Sequence, residues 1–378
     1  MRDLPVLAYF GDDPSRAYQL AQWLPVLEQL DAVQPVGIVL RRPDTAAVVA
    51  PTTRLPLLLA EEFAELRALY GGLDAKVVLY CNNSPRNFES LLESRALHVH
   101  VNHGESDKQS MASNNAKAYD RVFVAGEAAV QRLTTGLLEY DASRLVRVGR
   151  PQLDLRREPA LEPSARRTVL YAPTWEGDAD YNNYSSVDTI GREIVARVLA
   201  VPDIRLVYKP HPRVATSDDP GMHAAHAEIV AMVADAARRD PEAGHVSLID
   251  ADILAVMPDC DAMITDVSSV GLDWLYLRTE CPLLIADRHD DPEQLRLAAP
   301  VSRCADVLDP VSVHELTGLL ADRLDHDELH LARIAMRHHY FDDVKVGDST
   351  ARFLDAVGEL TVLRDTLVQG WAEQAIAT

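Results

Sequence analysis

Cationic side chains are scarce in this chain. Lys and Arg number 37 against 58 Asp and Glu, a formal charge of −21 at pH 7. Such a surface repels phosphate backbones, which excludes general nucleic-acid binding. It repels an anionic membrane as well and leaves room only for a local basic patch to dock. Cysteine is nearly absent: four in 378 residues, at positions 81, 260, 281 and 304, with no CxxC pair. That spacing fits neither a zinc ribbon nor a disulfide framework and suits reduced, intracellular thiols. No apolar run approaches the roughly 18 residues of a membrane span. The opening MRDLPVLAYFGDD has no apolar stretch of signal-peptide length. GxxxxGK[ST], a GxGxxG after the first strand (only Gly11 is there) and a GxSxG elbow are all missing. P-loop nucleotidase, nicotinamide-binding and serine-hydrolase readings therefore find no support.

What is present is a long alternation of short apolar runs and helical patterns. Hydrophobic residues make up 47% and charged residues 25% of the chain, as in a soluble protein with a full core. Strands are expected at Val6–Phe10, Val36–Leu40, Ala75–Tyr80, Leu97–Val101, Tyr119–Ala125 and Leu145–Val148. Leu57–Leu69 reads as an amphipathic helix. A charged, Pro-containing stretch over 153–167 reads as a linker. A second series follows, with strands at Thr168–Ala172, Arg205–Lys209, Ser247–Asp250, Ala262–Thr265 and Leu283–Ala286. Strands alternating with helices imply parallel sheets. The expectation is an α/β protein of two Rossmann-like domains facing a cleft. Residues 1–155 and 156–350 would form these two domains, with a helical tail over 351–378 that can cross back onto the first.

Ligands of such sheets bind beyond the carboxyl ends of the strands, and the polar clusters fall there. His103 follows a strand and precedes Gly104, which permits a turn or close ligand approach. A histidine there can take a proton from a hydroxyl, with Glu105 or Asp107 orienting its ring; a structural loop histidine is the alternative. His98 and His100 beside it invite a metal reading. Alternation along the strand speaks against that reading, and no metal site is assigned. His211, held between two prolines and flanked by Lys209 and Arg213, suits an oxyanion. In 261–285 a strand ends at Asp266, and Ser268 and Ser269 stand where they can cap a helix carrying Leu272, Leu275 and Tyr276. Free N–H groups, hydroxyls and a positive dipole end make that turn a phosphate site; an ordinary capped turn is the alternative. Asp266 is read as a cap or as an acceptor of substrate hydroxyls. Trp175 and Tyr171 are read as packing.

Taken in order, His103-Gly104, VGRPQLD (148–154), VLYAPTWEG (169–177), KPHP (209–212), ITDVSSVGLDWLYL (264–277) and GDSTAR (347–352) resemble the CDP-glycerol glycerophosphotransferase family. These are the teichoic acid primases and polymerases and related capsule polymerases. The resemblance implies a glycosyltransferase-B type fold and transfer of a polyol phosphate from a CDP-activated donor to an acceptor hydroxyl of a cell-wall or capsule glycopolymer or its lipid-linked precursor, releasing CMP. It implies His103 and His211 as catalytic residues. Thr265, Asp266, Ser268, Ser269, Lys209, Arg213, Pro173, Thr174 and Arg352 would bind the donor. Gly104, Glu105 and Lys108 would face the acceptor; the family commonly has threonine and an apolar run where this chain has Glu105-Ser106-Asp107. No cofactor is implied. The expected place is the cytoplasm, with peripheral contact at the inner face of the plasma membrane left open. Two other readings share the architecture or its surroundings: a nucleotide-sugar glycosyltransferase or non-hydrolysing UDP-sugar epimerase, and a non-catalytic partner in envelope assembly.

Overall fold

The computed structural model describes residues 3–177 and 180–377. The chain folds into two compact units. The first comprises Met1–Gly104, Ala112–Leu155 and Asp343–Thr378; the second comprises Glu105–Met111 and Arg156–Asp342. The division is not contiguous. Seven residues directly after Gly104 pack with the second unit, and the last helix packs with the first.

The first unit holds a seven-stranded sheet of β1 (Val6–Phe10), β2 (Val36–Leu40), β3 (Leu57–Leu59), β4 (Val77–Tyr80), β5 (Leu97–His100), β6 (Arg121–Val124) and β7 (Leu145–Arg147), in the order β3-β2-β1-β4-β5-β6-β7. All its pairings are parallel. Apolar side chains alternate to the two faces, as the two-residue period of a strand requires. Val6, Ala8 and Phe10 join one core, shared with Phe353, Val357 and Leu360 of the helix Asp348–Ala377. Leu7 and Tyr9 join the other. Burial on both faces explains why β1, β2 and β4 read as continuous apolar runs.

In this unit one run departs from the expected element. Leu57–Leu69 is not a single helix: Leu57–Leu59 pairs with Ile38–Leu40 as the edge strand, and the helix starts at Phe63. Glu62 and Glu65 close a capping box at its start. Leucine carries little strand preference of its own, so only the pairing partner decides the state of this run.

The second unit holds β8 (Arg167–Ala172), β9 (Ile204–Tyr208), β10 (Val246–Ser247), β11 (Ala262–Thr265), β12 (Leu283–Ala286) and β13 (Asp306–Leu308), in the order β10-β9-β8-β11-β12-β13. These pairings are parallel too. Val169, Tyr171, Leu206, Tyr208 and Ile264 build its core with Ile194, Val198, Ile229 and Val233 from the helices Gly191–Leu199 and Pro220–Arg239. In each sheet the winding direction reverses at one pair, β1/β4 in the first and β8/β11 in the second. Such switch points leave a crevice beyond the strand ends where ligands bind. Among the described residues, no helix is long and apolar enough to cross a membrane.

Candidate functional site

In the second unit the loops leaving β8, β9 and β11 are tied to one another. The backbone N–H of Thr174 donates to Asp266 Oδ2 at 2.7 Å, across the switch point. Thr265 Oγ1 donates to the Ala172 carbonyl at 2.7 Å, and the N–H of His211 donates to the Pro173 carbonyl at 2.9 Å. Pro173, Thr174, Thr265 and Asp266 are all buried. Asp266 therefore fastens one exit loop to the next, a role the sequence did not disclose. Burial pushes its carboxyl up to about 7; Ser186, the Thr174 N–H and the charge of Lys108 pull the other way. Ser186 is near enough to act on that charge, yet Oδ1 has no hydrogen-bond partner.

Ser268 occupies the N-cap of the helix Ser269–Leu277 in an extended conformation, φ −155°. It makes no side-chain cap bond. The expected capping hydrogen bond is thus corrected: the Ser268 hydroxyl lies 3.4 Å from Thr265 Oγ1. The first N–H groups of this helix have no intrahelical partner, as at every helix start. They emerge beside two hydroxyls at the end of β11.

His211 closes the β9 exit. Its Nδ1 accepts from the Arg213 N–H at 3.2 Å, which leaves Nε2 as the protonated nitrogen of the neutral ring. The imidazole stacks on Trp175 with centroids 6.0 Å apart, and the Arg213 guanidinium lies 3.6 Å from the Trp175 ring centroid. Trp175 also packs on the core, so it is both a packing residue and the platform for these two side chains. Lys209, expected to add charge beside a phosphate, is turned into the loop instead: Nζ donates to the carbonyls of Pro210 at 3.0 Å and Ile249 at 3.1 Å. Burial lowers its pKa to about 8. A buried ammonium satisfies itself with the nearest carbonyls.

Lys108 departs from expectation in place. The segment Glu105–Met111 packs with the second unit. Lys108 Nζ donates to Thr174 Oγ1 at 3.3 Å and lies 5.7 Å from the Tyr184 ring centroid. Glu105 and Ser106 beside it are buried, and Asp107 accepts from the Tyr340 hydroxyl.

In the first unit His103 follows β5. Burial pushes its ring down to about 4; the Cys81 carbonyl, which accepts from the ring, opposes that shift, and the charge of Arg150 adds to it. The Cys81 carbonyl thus orients the ring. Nδ1 is buried and has no hydrogen-bond partner. The Tyr18 ring meets the imidazole edge-on at 6.0 Å. Arg150, which the sequence places at the exit of β7 without a role, is positioned by VGRPQLD and GDSTAR. Its N–H donates to Ser349 Oγ at 3.0 Å, while Asp154 accepts from the N–H groups of Gly347 at 2.7 Å and Thr350 at 2.6 Å. VGRPQLD and GDSTAR are thus two halves of one joint that caps the helix Asp348–Ala377. Arg352 lies exposed near the start of that helix, in the first unit.

Residues 92–288, which take in the His103 exit and the exits of β8, β9 and β11, match the family described as CDP-Glycerol:Poly(glycerophosphate) glycerophosphotransferase. The chain belongs to this family. Its fold agrees with that of the wall teichoic acid polymerase TagF, at TM-score 0.60 and 13% identity over 95% of this chain and 90% of that one. It is also similar to a putative UDP-N-acetylglucosamine 2-epimerase from Listeria monocytogenes, at TM-score 0.57 and 14% identity over 94% and 96%. Anabaena Alr3699/HepE, solved with UDP and glucose, matches at TM-score 0.52 and 12% identity over 93% and 99%. No curated protein matches in sequence. The fold of this glycerophosphotransferase-family chain is accordingly of glycosyltransferase-B type, built from two Rossmann-like α/β units.

Proposed function

We propose that this chain transfers a polyol phosphate, glycerol phosphate in the first instance, from a CDP-activated donor to a hydroxyl of a cell-wall or capsule glycopolymer or its lipid-linked precursor. The observation that carries the reading is that the family match takes in both the His103 exit and the three tied exits of the second unit. A structure of TagF soaked with CDPG, similar to this chain at TM-score 0.59 and 12% identity, supports the donor.

The donor pyrophosphate is assigned to the Ser268/Ser269 helix start, where unpaired N–H groups and the helix dipole favour anions. Pro173, Thr174, Thr265 and Asp266 shape the turn, and Arg213 and Arg352 add charge. The acceptor oxygen attacks the phosphorus bearing the polyol. A new O–P bond forms as the bridging O–P bond to CMP breaks. The acceptor hydroxyl gives its proton to Nδ1 of His103, which burial keeps neutral and ready to accept. His211 Nε2–H faces the opposite need: it donates to the phosphate oxygen that leaves with CMP. Positioning and charge stabilisation then supply most of the rate, as is usual for phosphoryl transfer. The protein works at the cytoplasmic side, where nucleotide-activated donors are made.

The test is CMP release from CDP-glycerol, with CDP-ribitol and UDP-sugars in parallel, comparing wild type with His103→Ala and His211→Ala. Each variant should stay folded and lose about a hundredfold or more in turnover. Turnover like the wild type's in either variant removes that residue from the mechanism. UDP release or a sugar isomer in place of CMP overturns the donor assignment.

A further inference from the structure

The lysine that follows His103 along the chain packs with the second unit. The segment Glu105–Met111 leaves the first unit directly after His103-Gly104 and packs with the second. There Lys108 Nζ contacts Thr174 Oγ1 at 3.3 Å. Thr174 is the residue whose N–H is held by Asp266 at the β8/β11 switch point. The Ser268/Ser269 helix start leaves the same strand end as Asp266. One ammonium, a threonine hydroxyl and a carboxyl with an unpartnered buried Oδ1 thus meet beside a helix N-terminus.

Resting on the donor reading above, we propose that Lys108 is a donor-pyrophosphate ligand, the cation that neutralises the two phosphates held at the β8/β11 switch point, and not an acceptor contact. Three observations support it. Its hydrogen bond to the neutral Thr174 hydroxyl is long at 3.3 Å, a weak partner for an ammonium. Burial, opposed by the charge of Asp266, has lowered its pKa to about 8, so an incoming polyanion would restore the full charge. Lys209, the other lysine near these exits, is already engaged by two backbone carbonyls.

A phosphate ladder tests this on the full-length protein. Calorimetric affinities for cytidine, CMP and CDP are measured for wild type, Lys108→Met and Lys108→Arg. Lys108→Met should weaken CDP by about tenfold to a hundredfold, the worth of a charge-assisted contact, and leave cytidine unchanged. Lys108→Arg should keep most of the CDP affinity. An unchanged CDP affinity in Lys108→Met overturns the proposal. So does an equal loss for cytidine and CDP, which would mean that Lys108 only supports the loop. If the wild type prefers UDP, the cytidine donor reading fails while the uridine, UMP and UDP ladder still decides the role of Lys108. If no nucleoside diphosphate binds more tightly than its nucleoside, both readings fall.

Discussion

Gly149 and Ser349, two hundred residues apart in sequence, touch so closely that no side chain fits between them. A Cβ on Gly149 would lie 2.3 Å from Ser349 Oγ, and the Gly149 backbone is left-handed at φ +77°. Both facts demand glycine here. Gly149→Ala should therefore destabilise the protein by about 2 to 4 kcal/mol, combining left-handed strain with overpacking. Ser349→Ala removes the nearest clashing atom, so the double variant should lose less than the sum of the singles. Chemical denaturation of the four proteins measures this; strict additivity would mean that the two residues do not meet.

The buried histidines of the first unit make it acid-sensitive. Burial lowers both His100 and His103 to about 4, and lowers His98 as well. In the unfolded chain each titrates near 6.5. Between these values the unfolded state binds more protons, so stability is complete above pH 6.5 and falls as the pH drops toward 4. For His100 alone the loss is on the order of 3 kcal/mol. Its ring stacks on Tyr119 at 5.0 Å, so His100→Gln trades some packing for a flatter acid limb. Denaturant midpoints at about pH 7.5 and about pH 5 should differ less in His100→Gln than in wild type; an equal difference would assign the acid sensitivity elsewhere.

The strand series was legible because both faces of each sheet are covered. β1, β2, β11 and β12 read as apolar runs that need no partner to be recognised. Leu57–Leu59 was not legible, since its state depends on pairing with β2. The strand exits announced themselves by His103, His211 and the Ser268 turn. What each residue does there depends on contacts across the chain that no local pattern encodes. Asp266 reaches Thr174 across 92 positions, Asp154 caps a helix 196 residues later, and Lys209 turns to carbonyls rather than outward. The passage of Glu105–Met111 into the second unit left no mark in composition, because a short polar loop reads alike on either side.

Trp175 carries two of the proposed donor-site side chains on one ring, with Arg213 at 3.6 Å and His211 stacked at 6.0 Å. Removing the ring leaves both without a platform while keeping their charges. Trp175→Leu should raise the donor KM by about tenfold, in line with a cation–π contact of roughly 1–2 kcal/mol, and change stability less, since leucine still covers the core. A donor KM equal to that of the wild type, in a folded variant, would show that Arg213 and His211 hold their places without the indole.

Asp266 should make the second unit respond to pH in the opposite sense to the histidines. Its carboxyl titrates near 3.8 when exposed and is pushed up to about 7 by burial in the fold. A raised acid is protonated more readily in the folded state, so its stabilising effect is complete below about pH 4 and is lost as the pH rises to about 7. Around it stand the Thr174 N–H, Ser186, Lys108, Tyr171 and Tyr208, and Lys108 supplies the positive charge among them. Asp266→Asn keeps an oxygen for the Thr174 N–H and removes the titration. Its stability relative to wild type should improve between about pH 5 and about pH 8, by up to about 3 kcal/mol. Removing the Lys108 charge with Lys108→Met should widen that gap, because the ionised carboxylate then loses the cation beside it. A pH-independent difference between Asp266→Asn and wild type would mean that the carboxyl ionises normally and that its hold on Thr174 is that of an ordinary carboxylate.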